Sequence, residues 1–147
     1  MREEIKRWLN NVRLGHHNER ALVIVGGQSS GKTTFAMLAA QKCGLKSEHV
    51  VTFGAGDLED HFFFDKARRF PLVIIDAKED EIEIVLSTLK AAISNRQISV
   101  DRLGKSSVVI NNQMNFMILT TKYDPKPTPR RVLVASPIFA MNVLTEI

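Results

Sequence analysis

The segment Gly26–Thr33, which reads GGQSSGKT, constrains this chain more than any other part of its sequence. It fits the pattern G-x-x-x-x-G-K-[ST] at every position. It follows Ala21–Val25, a short apolar run rich in β-branched residues that predicts a buried strand. The residues after it predict a helix that continues to Gly44. A glycine-rich turn from a buried strand into a helix is typical of an α/β fold.

This loop pattern has a direct chemical meaning. Glycines let the backbone turn so that successive N–H groups point at phosphate oxygens, and the helix N-terminus adds partial positive charge. Lys32 is expected to reach the β- and γ-phosphates of ATP, and the Thr33 hydroxyl to hold Mg²⁺. The alternative interpretation is a glycine-rich turn with no ligand. The nucleotide-binding residues predicted here are Gly26, Gly27, Gln28, Ser29, Ser30, Gly31, Lys32, Thr33 and Thr34.

A second apolar run, Leu72–Ile75, ends at an acid, Asp76. A carboxylate at the end of a neighbouring buried strand can hold the same Mg²⁺ as Thr33, so Thr33 and Asp76 are the predicted metal ligands. Hydrolysis also needs a carboxylate that polarises the attacking water. The next residue is Ala77, which leaves Glu79 and Asp80 as the nearest candidates. Each of these acids also fits a turn, cap or first-turn role in the following helix.

Strand and helix patterns alternate through the first two thirds of the chain, which predicts a mostly parallel sheet. Residues 1–20 are expected to form an amphipathic helix and a loop, and residues 21–147 a single phosphate-loop ATPase domain. Helical spacing places Phe35, Leu38 and Ala39 on one face, and Asp80 is a candidate cap for the next helix. The other predicted elements are a helix with Ile5, Trp8, Leu9 and Val12 on one face, strands 49–53, 115–121 and 131–135, a helix 80–95, and a hairpin of 98–100 with 107–110.

Positive charge is concentrated late in the chain. Residues 96–131 hold seven Lys or Arg against two acidic residues, whereas residues 1–95 are balanced. The hairpin carries Arg102, Lys105 and Ser106 around its turn, and these residues can grip a phosphate backbone. The alternative interpretation is a solvated basic surface.

The cysteine content, the N-terminal residues and the lengths of the apolar runs indicate where this protein is located. The single cysteine, Cys43, excludes an intrachain disulfide, and the charged start MREEIKRW does not predict a secretory signal. The longest apolar runs are far too short to span a bilayer. We expect a soluble intracellular protein with no membrane partner, compatible with either the cytoplasm or a host nucleus.

The order of these parts resembles the superfamily 3 helicases of small DNA viruses, especially the ATPase domains of parvovirus replication proteins. The similarity runs over roughly residues 20–135. It is carried by GGQSSGKT, by LVIID at 72–76, by the helix leading into ISVDRLGKSS at 98–107, by NFMILTTK at 115–122 and by PTPRR at 127–131.

The resemblance implies an AAA+-like phosphate-loop fold with a five-stranded sheet flanked by helices and a basic β-hairpin. It also implies an ATP-dependent helicase or translocase that assembles as a homo-oligomer, typically a hexameric ring, on single-stranded DNA during genome replication. Arg130 or Arg131 would supply the arginine finger, and Lys122 stands where the family usually has a sensor asparagine. Ala77 replaces the usual second acid. These implied catalytic residues join Lys32, Asp76 and Glu79.

Other functions remain open at this point. A genome-packaging ATPase or a nucleotide kinase would have the same fold and a different activity. A nucleotide-gated DNA-binding or assembly module without fast hydrolysis is favoured by Ala77 and Lys122.

Overall fold

The computed structural model describes residues 1–147 and contains seven strands and five helices. The strands are β1 (Ala21–Val25), β2 (Val50–Gly54), β3 (Leu72–Asp76), β4 (Gln97–Arg102), β5 (Lys105–Asn111), β6 (Asn115–Thr120) and β7 (Val132–Ala135). The helices are α1 (Arg2–Arg13), α2 (Lys32–Lys42), α3 (Phe63–Ala67), α4 (Ile82–Ser94) and α5 (Pro137–Leu144). Short 3-10 turns cover Ser47–His49 and Ala55–Glu59.

Five strands form one parallel sheet in the order β2-β3-β6-β1-β7, and β4 and β5 form a separate antiparallel hairpin. β6 inserts between β1 and β3, pairing Leu22 with Met117 on one side and Ile74 with Met117 on the other. Because every pair is parallel, the carboxyl ends of the strands meet at one edge of the sheet. The molecule is therefore α/β, with a five-stranded parallel sheet flanked by helices.

Helices cover both faces of the sheet, which explains why its strands are nearly continuous apolar runs. On one face, α1, α2 and α5 pack against side chains such as Leu22, Ile24 and Leu119. On the other face, α3, α4 and the hairpin pack against Val23, Ile75 and their neighbours. No helix is both long and apolar enough to cross a bilayer.

Most predicted elements are confirmed to within one or two residues, with three exceptions. Leu38 is exposed, because α2 buries the face formed by Phe35, Ala36, Ala39 and Ala40 instead. Asp80 does not cap α4; the helix begins after Glu81, whose carboxylate accepts the Lys78 N–H. Helix α5 was not predicted from the sequence, although Ser136 caps it and Pro137 occupies its first position.

A buried asparagine pair closes the amino edge of the sheet. The Asn115 side-chain oxygen accepts hydrogen bonds from the Asn18 backbone N–H at 2.6 Å and from the Asn18 side chain at 2.9 Å. The Asn115 amide donates to the His16 carbonyl at 3.0 Å. Both asparagines are buried. They hold the loop between α1 and β1 against the first residue of β6.

Replacing Asn115 with alanine is expected to lower the free energy of unfolding by about 3 kcal/mol, because it orphans the buried N–H of Asn18. Urea denaturation followed by fluorescence of Trp8 measures this. Gln113→Ala, two residues earlier and exposed, is the matched control and should change stability by less than about 0.5 kcal/mol. Equal effects of the two substitutions would contradict the role assigned to the asparagine pair.

Candidate functional site

One cleft of about 1010 Å³ opens at the carboxyl edge of the sheet. The segments that follow four adjacent strands, β2, β3, β6 and β1, all contribute to its walls. In open α/β sheets, ligands bind outside the carboxyl ends of the strands. The lining residues are Gln28, Ser29, Lys32, Thr33, Gly54, Ala55, Gly56, Asp76, Ala77, Lys78, Glu79, Asp80, Glu81, Leu119, Thr120 and Thr121.

The loop from β1 to α2 contains two residues with left-handed backbone conformations. Gly31 has φ +97°, and Ser29 adopts φ +60°, the one positive φ outside glycine in the chain. A left-handed serine is strained by about 1–2 kcal/mol, and such strain concentrates at ligand sites. A second hollow of about 220 Å³ is formed by the loop itself, from Gly27 and Ser29 to Thr34. Turns of this kind direct backbone N–H groups toward an anion.

Gly26 begins the loop where the backbone is tightly enclosed. A Cβ at this position would collide with the Ser30 hydroxyl and would lie 3.1 Å from the ring carbons of Pro137. Pro137 belongs to α5, so the start of the loop is packed against the last helix. Only glycine fits this position without displacing its neighbours.

Lys32 folds back onto its own loop. Its ammonium group donates hydrogen bonds to the carbonyl oxygens of Gly26 and Gly27, the latter at 3.1 Å. These two acceptors hold the charge at the mouth of the hollow. A bound phosphate, which carries full negative charge, would compete for the same ammonium group.

β6 positions the loop and the acid relative to each other. The Gly26 N–H donates to the Thr120 carbonyl at 3.1 Å, and the Ala77 N–H donates to the Leu119 carbonyl at 2.9 Å. The sheet ladder thus continues past the ends of β1 and β3. Thr33 and Asp76 consequently line the same cleft, and neither side chain has a hydrogen-bond or ion-pair partner within the protein.

Three acids follow Asp76 along the rim of the cleft. Ala77 between them and Asp76 is buried in the apolar cluster that also contains Ile82 and Tyr123. Glu81 is engaged with the Lys78 N–H at 2.9 Å. Glu79 and Asp80 are exposed, line the cleft and carry no internal partner. Their carboxylates are therefore free to bind water.

Thr120 is a cleft residue that was not predicted from the sequence. It lines the cleft between the loop and Asp76, it is 1% exposed, and its hydroxyl has no hydrogen-bond partner. Thr121 beside it is exposed. The signal in the sequence was the change from apolar to hydroxyl side chains at the end of β6. Gly54, Ala55 and Gly56 were likewise missed as cleft residues, because their placement depends on the pairing of β2 with β3.

The structure does not bring Lys122, Arg130 or Arg131 into the cleft. Lys122 is exposed beyond the end of β6. The Ala21 N–H donates to the Arg131 carbonyl at 2.8 Å, which places the arginine pair at the start of β1 and β7. That is the opposite edge of the sheet, roughly 15 Å from the loop for a five-residue strand.

The two arginines differ in their surroundings. Arg130 is exposed, whereas Arg131 is half-buried and its Nε is enclosed with no partner. Its side chain lies near Tyr123. Burial raises the pKa of the Tyr123 hydroxyl, the charge of Glu83 raises it further, and Arg131 opposes both effects. Arg130 is therefore the one of the pair that is available to another molecule.

Local hydrogen bonds hold the tip of the basic hairpin. Arg102 pairs with Lys105 across a two-residue turn, Leu103–Gly104, in which Gly104 has φ +69°. The Arg102 Nε donates to the Ser106 carbonyl at 2.8 Å, and the Ser107 hydroxyl donates to Asp101 at 2.6 Å. Lys105 and Ser106 are exposed and their side chains have no partner. Arg102, Lys105 and Ser106 thus lie together, as the sequence predicted.

These features define an α/β protein with a glycine-rich loop and an acid at the carboxyl edge of a parallel sheet. Residues 24–131 match the model of a family described as a family of unknown function, DUF5906. The chain belongs to this family. Among proteins with curated descriptions, none gives a significant match to it.

Solved structures of the NrS-1 C-terminal region have a similar fold. An apo structure of residues 305–718 of that protein gives a TM-score of 0.70 at 18% identity, over 97% of this chain and 38% of that one. Two A-form apo structures give TM-scores of 0.66 and 0.67 at 18% and 20% identity, over 98% and 96% of this chain. The chain spans 42% and 37% of those two structures, so at most about two fifths of any of the three.

The orphaned hydroxyl of Thr120 can be tested without any ligand. Thr120→Val keeps the shape of the side chain and removes a buried, unpaired hydroxyl, so we expect the free energy of unfolding to rise by about 1 kcal/mol. Urea denaturation without nucleotide measures it. Thr121→Val, at the exposed neighbour, is the control and should have little effect. A loss of stability in Thr120→Val would indicate that the hydroxyl is satisfied in the folded protein.

Proposed function

We propose that this chain is a phosphate-loop ATPase of the superfamily 3 helicase type, which binds Mg-ATP in the cleft and acts on single-stranded DNA in genome replication. One observation carries the proposal. Lys32 and Thr33 of the glycine-rich loop line the same cleft as Asp76, at the carboxyl edge of the sheet. The family resemblance of the sequence and the fold similarity to the NrS-1 region support it.

The cleft suits a nucleoside triphosphate. Its volume matches those of small-molecule sites. The loop offers backbone N–H groups and the N-terminus of α2 to the phosphates. On binding, Lys32 would leave the Gly26 and Gly27 carbonyls for the β- and γ-phosphates, exchanging two neutral acceptors for charged ones.

The residues present also fit Mg²⁺. This ion prefers oxygen ligands and is usually held by one or two protein groups together with phosphates and water. The Thr33 hydroxyl and the Asp76 carboxylate are both unpaired and both line the cleft. No cluster of three or more His, Cys, Asp or Glu side chains is placed to hold a metal without such a ligand. Bound Mg²⁺ would neutralise charge on the phosphates, while Glu79 or Asp80 would polarise the attacking water.

Lys32→Ala is expected to weaken ATP binding at least tenfold and to reduce turnover to background, because it removes a charge-assisted hydrogen bond to phosphate. Titration with a fluorescent ATP analogue, with Mg²⁺ and with EDTA, measures binding. Lys42→Ala, an exposed lysine on the same helix, controls for the loss of one charge. Undiminished binding and turnover in Lys32→Ala would refute the proposed nucleotide site.

Arg130 lies at the edge of the sheet opposite the cleft, which supports an active site shared between two subunits. An exposed arginine at the amino edge cannot stabilise charge in its own cleft, but it can reach the cleft of a neighbouring copy packed head to tail. Heterologous contacts of this kind form closed rings when the rotation between neighbouring copies closes, and open filaments otherwise. An arginine supplied in trans can accelerate phosphoryl transfer by about 10³–10⁵. The proposed assembly is a ring of identical subunits, as in the family that the sequence resembles.

Mixing two inactive variants tests the shared site. Lys32→Ala subunits retain both arginines, and Arg130→Ala/Arg131→Ala subunits retain Lys32. In an equal mixture about a quarter of the head-to-tail interfaces would combine an intact loop with an intact arginine pair. We expect turnover to recover to about that fraction of wild type. Arg130→Ala alone avoids disturbing the half-buried Arg131, and Arg69→Ala is the control for an exposed arginine. No recovery on mixing would contradict catalysis in trans.

A second candidate is a nucleotide-gated DNA-binding module without fast hydrolysis. The burial of Ala77, where the resembled family has an acid, favours it. ATP binding with no turnover, with or without single-stranded DNA, would select this candidate over the ATPase. A genome-packaging ATPase would keep the same site and require duplex DNA instead.

A further inference from the structure

Leu103 at the tip of the β4–β5 hairpin is the most exposed large apolar side chain of the protein, at 75%. The turn does not require it. Gly104 takes the positive φ, and Leu103 has an ordinary backbone conformation that polar residues usually occupy in turns. Nothing in the fold covers this side chain. An exposed leucine gains free energy only when another surface buries it.

The surroundings of Leu103 define the surface that would fit it. Arg102 and Lys105 flank it on the two strands, and the Arg102–Ser106 hydrogen bond fixes the arginine at the tip. Asp101, the acid next to Arg102 in the sequence, accepts a hydrogen bond from Ser107, and its carboxylate lies 3.2 Å from the His61 ring. The tip therefore presents one apolar side chain between two cations, on a two-residue turn.

We propose that Leu103 packs against the bases of a single nucleic-acid strand while Arg102 and Lys105 bind its phosphates. This inference rests on the proposed function and adds base contact to it. In an unpaired strand the apolar faces of the bases are exposed between anionic phosphates. Leucine and other apolar side chains pack against base faces where a duplex is unstacked, and aromatic side chains stack on the bases of single strands. At the hairpin tip, apolar Leu103 lies between the cations Arg102 and Lys105, just as a base lies between two phosphates.

Other surfaces fit less well. A membrane needs a larger apolar face than one leucine, since each buried CH₂ contributes only about 0.8 kcal/mol. The core of a protein–protein interface is depleted in charged residues, whereas this leucine lies between two of them. Binding to a membrane or to a protein would each be an outcome that contradicts the proposal.

The test compares two fluorescent oligomers with equal numbers of phosphates, an oligothymidylate and its abasic counterpart. Wild type should bind oligothymidylate more tightly. Leu103→Ser should weaken that binding roughly tenfold and leave binding to the abasic oligomer unchanged, because only the base contact is lost. Val109→Ser, an apolar residue that is 65% exposed on the same hairpin away from the tip, should match wild type. Thermal melting of each variant checks folding.

Different results identify a failure of the proposed base contact and a failure of DNA binding as a whole. Arg102→Ala/Lys105→Ala should weaken binding to both oligomers and reduce its dependence on salt; Lys46→Ala/Lys90→Ala is the charge-matched control. If wild type binds neither oligomer, the DNA-binding part of the proposed function is wrong. If wild type binds both but Leu103→Ser loses equally on each, or loses nothing, the base contact is refuted. Leu103-dependent binding to anionic vesicles without any difference between the oligomers would also overturn it.

Discussion

The parallel pairing of β6 with both β1 and β3 is the constraint on which the rest of this structure depends. All six residues of β6 are buried, and the strand separates the loop-bearing β1 from the acid-bearing β3. Its carbonyls at Leu119 and Thr120 hold the first residues beyond those two strands. A shift of β6 by one residue would exchange its two faces and move both contacts. The cleft is therefore a consequence of strand register rather than of the loop alone.

The buried polar side chains at the two ends of β6 differ in whether they have hydrogen-bond partners within the protein. Asn115 at the amino end satisfies its hydrogen bonds within the protein, and it ties the N-terminal loop to the sheet. Thr120 at the carboxyl end is buried with an unpaired hydroxyl inside the cleft. Orphaned buried polar groups are uncommon in folded proteins, and each calls for a specific explanation such as a bound ligand, ion or water. Within β6, the amide at the amino end stabilises the fold, whereas the hydroxyl at the carboxyl end is left for a partner in the cleft.

The sequence predicted the elements well because their signals are local. The apolar runs of β1 and β3 and the helical spacing of α4 are read within a few residues, and the glycine-rich loop lies where its pattern placed it. The position of β6 between β1 and β3 depends on pairing between distant segments, so Thr120 and Gly54–Gly56 could not be assigned to the cleft. Leu38 was misassigned because, apart from Phe35, the buried face of α2 is made of small alanines, while its other large apolar side chains are exposed.

The burial of Ala77 bears on how a site of this kind can diverge. Its side chain lies in the cluster with Ile82, below the rim of the cleft, and a carboxylate there would need a partner that this apolar cluster lacks. Glu79 and Asp80 lie in the following turn, exposed and without internal partners. A carboxylate in this turn carries little desolvation cost, because its side chain stays in contact with water. Under the proposed function, the water-polarising group would thus stand on the exposed turn after β3 rather than at the end of the strand itself.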